Sequence, residues 1–192
     1  MLNNQVLDSQ LWIFAYGSLI WNPGFEPEQT YHATLPAYKR SFSMWSVHYR
    51  GSKANPGLVL ALENDPQCSC QGLALKPKHN QIEDVLSTVR NRELISSAYL
   101  ETKAWITLEN GTEVPAVFYV VNTKHSQYCG HLSTSEKAKI IHSAMGNKGS
   151  NQDYLFNTVK ALQKIGLNDP YLTNLAHQVK EVNSCQLGQR SK

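Results

Sequence analysis

The period of the apolar positions changes along the chain and predicts the order of its elements. In the first two thirds, short apolar and aromatic runs are bounded by glycine or proline, which is typical of buried strands. These runs occupy residues 11–16, 38–49, 58–62, 72–75, 98–108 and 114–121. Asn110-Gly111 separates the last two runs, and this dipeptide predicts a hairpin.

One helix is predicted between the strands. Its apolar residues have the i, i+3, i+4, i+7 spacing of a single buried stripe and are Ile82, Val85, Leu86 and Val89. Glu93 lies eleven residues after Ile82, a rotation of about 20°, so a helix that persists this far turns the Glu93 carboxylate inward. Burial raises a carboxyl pKa toward the range that suits a general acid and base. Alternatively, a helix that ends near Val89 leaves this carboxylate at the surface, paired with Arg90 or Arg92.

The last third of the chain predicts three further helices, around residues 140–145, 155–162 and 172–179. Gly146 and Gly166 suit helix C-termini. Asp169 followed by Pro170 suits an N-cap and a first turn. Strands, one helix, strands and three helices follow one another without regular alternation. This order predicts an α+β domain in which a closed or nearly closed mixed sheet has helices packed outside it.

Length and composition predict one soluble domain. The chain has 192 residues, which favours a single domain over residues 1–192, with a core of about 11–182 and a polar C-terminal tail that frays. The net charge of +3, from 18 basic and 15 acidic residues, is scattered and does not favour nucleic acid or membrane as a partner. The N-terminus lacks the pattern of a signal peptide, so we expect a cytoplasmic protein.

The four cysteines do not predict a disulfide framework or a metal site. They are unevenly spaced in a chain of this length, which favours reduced thiols. Combining Cys68-Ser-Cys70 with Cys129-Gly-His131 matches no common zinc spacing. The cysteines are Cys68, Cys70, Cys129 and Cys185.

A possible anion site follows the first predicted strand. Tyr16-Gly17-Ser18-Leu19 places a Gly and a Ser where the strand enters a loop, and such turns can present consecutive backbone N–H groups to an anion. Turns of this composition are also common without any chemical role, so both interpretations stay open on this pattern alone.

Several motifs along the chain together carry a resemblance to one protein family. The opening Leu-Trp-Ile-Phe-Ala-Tyr-Gly-Ser-Leu-Ile-Trp-Asn-Pro-Gly-Phe at residues 11–25 carries most of the resemblance. It continues through residues 50–51, 56–62, 72–74, 92–94, 128–130 and 149–155. Over about residues 11 to 178, the chain thus resembles the ChaC family, the glutathione-specific gamma-glutamylcyclotransferases.

The resemblance implies a fold, a catalytic residue and a binding loop. The implied fold is a mixed β-barrel flanked by helices. Glu93 falls on the family's catalytic glutamate, and Tyr154 matches a tyrosine placed near the substrate. The implied loop for the gamma-glutamyl group consists of Ala15, Tyr16, Gly17, Ser18, Leu19 and Ile20. The chain departs from the family at Ala15, where many members have Gly, and before Tyr99, where relatives often carry Gly.

The reaction that the resemblance implies is the lyase step of glutathione degradation. The α-amine of reduced glutathione attacks its own γ-carbonyl carbon, forming 5-oxo-L-proline and releasing L-cysteinylglycine. Such an intramolecular attack requires proton transfer and oxyanion stabilisation, and no cofactor or metal. Two alternatives are a cyclotransferase for other gamma-glutamyl amines and a non-catalytic regulator of cation transport. Retention of Glu93 and of the Tyr16 to Leu19 loop favours an enzyme.

Overall fold

The computed structural model describes residues 11–94 and 97–189, and these residues form two compact units. The first unit consists of the described parts of Met1–Arg40 and Leu62–His125. The second consists of the described parts of Ser41–Ala61 and Ser126–Lys192. Each unit therefore combines segments that are distant in sequence. The expectation of a single domain stays a prediction.

Five strands form a closed mixed barrel in the order β1-β3-β2-β4-β5. β1 is antiparallel to β3 and parallel to β5, while β4 is antiparallel to both β2 and β5. The predicted α+β class and mixed barrel are thus confirmed. The strands are β1 (Trp12–Ala15), β2 (Gln29–Ser46), β3 (Gly57–Lys76), β4 (Tyr99–Leu108) and β5 (Glu113–Val121).

The core of the first unit is built around aromatic side chains of the barrel. Phe118 is fully buried and receives Tyr38 and Phe14 edge-on, with ring centroids 5.1 and 6.4 Å away. Helix α1 (Ile82–Glu93) follows β3 through a short 3-10 segment, His79–Gln81. The predicted stripe of α1 is buried along its whole length, which confirms the helical period.

The predicted strands at 58–62 and 72–75 are parts of one strand, β3. The polar stretch between them led to the wrong expectation of a break. Backbone pairing does not depend on side-chain polarity, so a strand can continue where its side chains face water. An ion pair between Lys39 on β2 and Asp65 on β3, with 3.0 Å between Nζ and Oδ2, crosses the two strands in this polar stretch.

The second unit contains three helices and one small two-stranded sheet. The helices are α2 (Thr134–Ser143), α3 (Asn151–Lys164) and α4 (Pro170–Gln189). Gly146 does not end α2 as predicted, because Ala144 is already extended and β6 (Met145–Gly146) pairs with β7 (Gly149–Ser150). None of the helices in the described part of the chain is long and apolar enough to cross a membrane.

The predicted boundaries around Gly166 and Asp169 are confirmed. Gly166 has a positive φ of 76° just after α3, a conformation that favours glycine. The Asp169 carboxylate accepts a hydrogen bond of 2.9 Å from the N–H of Leu172 in the first turn of α4. α4 continues to Gln189, so the backbone is helical over the first part of the predicted polar tail, and the fraying of this tail stays a prediction. The predicted tail also includes residues 190–192, which lie outside the described residues.

Candidate active site

The predicted binding loop begins where β1 ends. Ala15 is the last residue of β1 and is fully buried. After Tyr16 and Gly17 the chain turns into a short 3-10 helix, Ser18–Ile20. The N–H of Ile20 donates to the Gly17 carbonyl at 2.8 Å, the first hydrogen bond of this turn. The N–H groups of residues 17–19 lie before the Ile20 N–H in the chain, so they donate no hydrogen bond within this turn.

Glu93 is the last residue of α1, and its side chain is only 17% exposed. The helix persists through this position because Leu94 still donates to the Arg90 carbonyl at 2.9 Å. The inward orientation that the stripe predicts is therefore confirmed. The alternative pairing also holds in part, because the Nε of Arg92 lies 3.2 Å from Oε1 of Glu93.

Arg92 joins the predicted loop to Glu93. Its Nη2 donates to Ser18 Oγ and its Nη1 donates to the Asn22 carbonyl, both at 2.6 Å. Its Nε faces Glu93. The structure thus brings Glu93 and the loop together within the first unit, through a side chain for which the sequence pattern predicted no such role. The one sequence signal for this role of Arg92 is its position directly before Glu93, on the last turn of α1.

Burial and charge act in opposite directions on Glu93. Burial in the first unit raises the pKa of the Glu93 carboxyl above its usual range, and the Arg92 guanidinium partly opposes this effect. A carboxyl with a raised pKa exchanges protons closer to neutral pH. Tyr119 on β5 is 1% exposed, and burial is the main reason why the pKa of its phenol is raised, with a further contribution from Glu101 and a smaller one from the Glu93 charge.

A second carboxylate nearby has the opposite environment. Glu101 on β4 accepts two hydrogen bonds from Arg90, at 2.7 and 2.8 Å, and one of 3.1 Å from the Tyr119 hydroxyl. The Arg90 bonds are the main reason why the pKa of Glu101 is lowered. Glu101 is therefore a fixed structural anion, whereas Glu93 is suited to proton transfer.

Tyr154 lies on α3 in the second unit. Its ring packs edge-on against Phe42, with centroids 5.6 Å apart. The Arg50 guanidinium lies over the same ring at 5.0 Å from its centroid, and one nitrogen of that guanidinium donates to the Lys148 carbonyl. These contacts hold the tyrosine ring and the arginine together. The role of Tyr154 toward a substrate stays a prediction.

No metal site is formed by the residues that the structure describes. Within 11–94 and 97–189, no three or more His, Cys, Asp or Glu side chains gather in an arrangement that could hold a metal ion. Cys68, Cys70 and Cys129 form no disulfide within the described residues, while the side chain of Cys185 lies outside them. Residues 95 and 96, within the second departure from the family pattern, also lie outside them.

The fold of the chain matches that of a solved cyclotransferase. A yeast crystal structure, described as a gamma-glutamyl cyclotransferase specific to glutathione, superimposes with a TM-score of 0.78 at 21% sequence identity. The match covers 90% of this chain and 99% of that one. The closed mixed barrel with helices is thus the fold class of the gamma-glutamyl cyclotransferases.

Sequence comparison establishes the family. The model of the family described as ChaC-like protein matches residues 11–182. The chain is 34% identical to Gamma-glutamylcyclotransferase 2-3 of Arabidopsis thaliana, over 91% of this chain and 90% of that protein. It is 31% identical to Glutathione-specific gamma-glutamylcyclotransferase of Escherichia coli (strain K12), over 91% of this chain and 75% of that protein. The chain belongs to the ChaC-like protein family.

Proposed function

We propose that this protein is a glutathione-specific gamma-glutamylcyclotransferase that converts reduced glutathione to 5-oxo-L-proline and L-cysteinylglycine. The observation that carries the proposal is the largely buried Glu93 carboxylate, joined through Arg92 to the loop after β1. The name of the bacterial relative supports the same activity, and the name of the plant relative supports a gamma-glutamylcyclotransferase. We place the enzyme in the cytoplasm, where glutathione is kept reduced.

The reaction needs a group that both accepts and donates a proton. The α-ammonium loses one proton to Glu93, and its nitrogen then attacks the γ-carbonyl carbon to close the five-membered ring. The amide bond to the cysteine nitrogen breaks as the protonated Glu93 returns this proton to that nitrogen. The second proton lost by the attacking nitrogen passes to the released amine, so no net proton is consumed. A raised pKa suits both directions of transfer.

The loop supports the second requirement, stabilisation of negative charge. The N–H groups of residues 17–19 are unused by the turn, and backbone donors of this kind stabilise a carboxylate or a developing oxyanion. We assign Ala15 to Ile20 to the gamma-glutamyl group of the substrate. Tyr154 is proposed as a further substrate contact, supported by the resemblance of residues 149–155 to the family pattern.

The experiment is to incubate the purified protein with glutathione and to quantify 5-oxoproline and cysteinylglycine by mass spectrometry. Glu93→Gln keeps the shape of the side chain but cannot shuttle a proton. We expect it to lower kcat by about a hundredfold to ten-thousandfold. Glu83→Gln is the matched control, because Glu83 is exposed on the first turn of the same helix. Full activity of Glu93→Gln contradicts the assignment of Glu93 as the catalytic residue.

The substrate class is tested with gamma-glutamyl-alanine under the same conditions. A glutathione-specific enzyme turns this dipeptide over far more slowly than glutathione. Equal kcat/KM values for the two substrates contradict specificity for glutathione and support a cyclotransferase for other gamma-glutamyl amines.

A further inference from the structure

A single guanidinium contacts three separate parts of the candidate active site. Two nitrogens of Arg92 donate at 2.6 Å to Ser18 Oγ and to the Asn22 carbonyl. The third, Nε, lies 3.2 Å from Oε1 of Glu93. The planar fork of arginine presents donors in fixed directions, so these contacts constrain one another.

The two contacts with the loop span the 3-10 turn. Ser18 begins this turn, and the N–H of Asn22 donates to the Ser18 carbonyl at 3.0 Å where the turn closes. Arg92 therefore fastens the start and the end of the turn to the end of α1. Its side chain is 33% exposed, so the hydrogen bonds form partly out of water, where charge-assisted bonds are stronger.

The contact with Glu93 leaves its second oxygen for chemistry. Arg92 contacts Oε1, so Oε2 is the oxygen that this ion pair does not occupy. In the described part of the chain, the charged and titratable groups that interact with Glu93 include Arg92 on α1 itself and Tyr119 on β5, whose hydroxyl donates to Glu101 on β4. Arg90 already neutralises Glu101. Among these groups, Arg92 is the one that stabilises ionised Glu93.

We propose that Arg92 is a positioning residue, which holds the substrate loop and the Glu93 carboxylate in a fixed relation so that proton transfer runs through Oε2. This inference rests on the proposed function and assigns a task to a residue that has no chemical step of its own. It separates two contributions of Arg92: its geometry orders the loop, and its charge favours ionised Glu93.

The two contributions are distinguished by Arg92→Lys and Arg92→Gln, with kcat and KM measured for glutathione from about pH 5 to about pH 9. Both variants lose the planar guanidinium and its fixed donors, and we expect kcat/KM to fall by about tenfold to a hundredfold. Arg92→Gln also loses the charge, so the acidic limb of its pH profile moves to higher pH. Arg92→Lys keeps the positive charge, so the acidic limb of its pH profile stays at the wild-type position. Ser18→Ala removes one hydrogen bond, so kcat/KM falls while the limb stays in place.

Arg90→Gln is the matched control. It removes an arginine two positions earlier on the same helix, but its partner is Glu101, and the pKa of Glu93 responds to burial and to Arg92. We expect a lower melting temperature and an acidic limb that stays in place. A limb that moves equally in Arg90→Gln and Arg92→Gln overturns the proposal, as does wild-type kcat/KM in either Arg92 variant.

A readout without turnover separates failure of this inference from failure of the proposed function. Carbon-13 NMR of the Glu93 carboxyl gives its pKa directly in the wild type and in Arg92→Gln. A wild type that does not cleave glutathione overturns the proposed function, while a higher pKa in Arg92→Gln still supports the charge contribution of Arg92. Identical titration curves in folded wild type and variant overturn that contribution.

Discussion

At the scale of single residues, two opposing influences set the protonation of Glu93. Burial disfavours the carboxylate, whereas the neighbouring guanidinium of Arg92 favours it, and burial is the larger effect. A folded-state pKa above the unfolded value means that ionised Glu93 destabilises the fold. A residue that costs stability in this way is common at catalytic positions.

Glu93→Gln therefore has a predictable effect on stability. The stability that the neutral carboxyl supports is fully present below its unfolded pKa and is lost as the pH rises through the raised folded pKa. Relative to the wild type, we expect the melting temperature of Glu93→Gln to increase across this window and then to stay level. Thermal unfolding followed by circular dichroism at several pH values measures the difference. A difference that does not vary with pH contradicts the raised pKa.

The sequence supports predictions about Glu93 more readily than about Arg92. The inward position of Glu93 follows from the spacing of its own helix, since residues on one stripe share one environment. The two contacts of Arg92 with Ser18 and Asn22 depend on where the loop after β1 lies, and no local spacing contains that information. Glu93 and Arg92 belong to the same turn of α1, yet only the position of Glu93 follows from local spacing.

At the scale of elements, one buried side chain ties α3 to β3 in the second unit. Asn151 is fully buried at the start of α3. Its Oδ1 accepts from the Leu58 N–H at 2.6 Å, and its Nδ2 donates to the Leu58 carbonyl at 2.7 Å. The amide thus satisfies both backbone groups of one strand residue, as a neighbouring strand does.

Asn151→Ala is expected to destabilise the fold by about 3 kcal/mol, because it leaves a buried donor and a buried acceptor unpaired. Urea unfolding at neutral pH measures the free energy of unfolding. Asn157→Ala, at an exposed position of the same helix, is the matched control and removes no buried hydrogen bond. If the two variants are equally stable, the amide pairing contributes nothing.

The start of α2 offers a second test at this scale. Ser133 Oγ accepts from the Glu136 N–H at 3.3 Å, and the Glu136 carboxylate accepts from the Ser133 N–H at 2.8 Å, which is a complete capping box. We expect Ser133→Ala to cost about 1 kcal/mol. Ser135→Ala, exposed within the first turn, controls for removal of a serine. Equal chemical denaturation midpoints for the two variants speak against the cap.

Predictions of elements are accurate where the interacting residues are close in sequence, and fail where they are distant. The α1 stripe and the Asp169 N-cap depend on residues within four positions of each other, and both are confirmed. The Asn110-Gly111 hairpin is confirmed for the same reason, with Gly111 at a positive φ of 83°. The break expected within β3 is wrong because pairing with β2, rather than local polarity, continues that strand.

At the scale of the molecule, distant segments close each unit. In the barrel of the first unit, Ile13 on β1 pairs with Leu75 on one side and with Val117 on the other. An ion pair also joins two elements of this unit, since Arg90 on α1 binds Glu101 on β4. Such an ion pair makes the stability of the whole fold depend on pH.

Glu101→Gln tests this dependence, and its sign is opposite to that of Glu93→Gln. The folded-state pKa of Glu101 is lowered, so its stabilisation is present above the unfolded pKa and is lost as the pH falls through the folded pKa. At neutral pH we expect Glu101→Gln to be less stable than the wild type by about 1 kcal/mol. Thermal unfolding in progressively more acidic buffers is expected to close this gap. A gap that widens in acid refutes the assignment.

The amino-acid sequence alone was enough to predict the elements whose stabilising contacts are local, the α+β class and the inward position of Glu93. It also carried the motifs by which the family is identified. The contacts of Arg92 with Ser18 and Asn22 became visible in the folded chain, since they join segments about 70 positions apart. Helix periods and caps are set by interactions within a few residues, whereas contacts between distant segments depend on how all strands of the barrel pair.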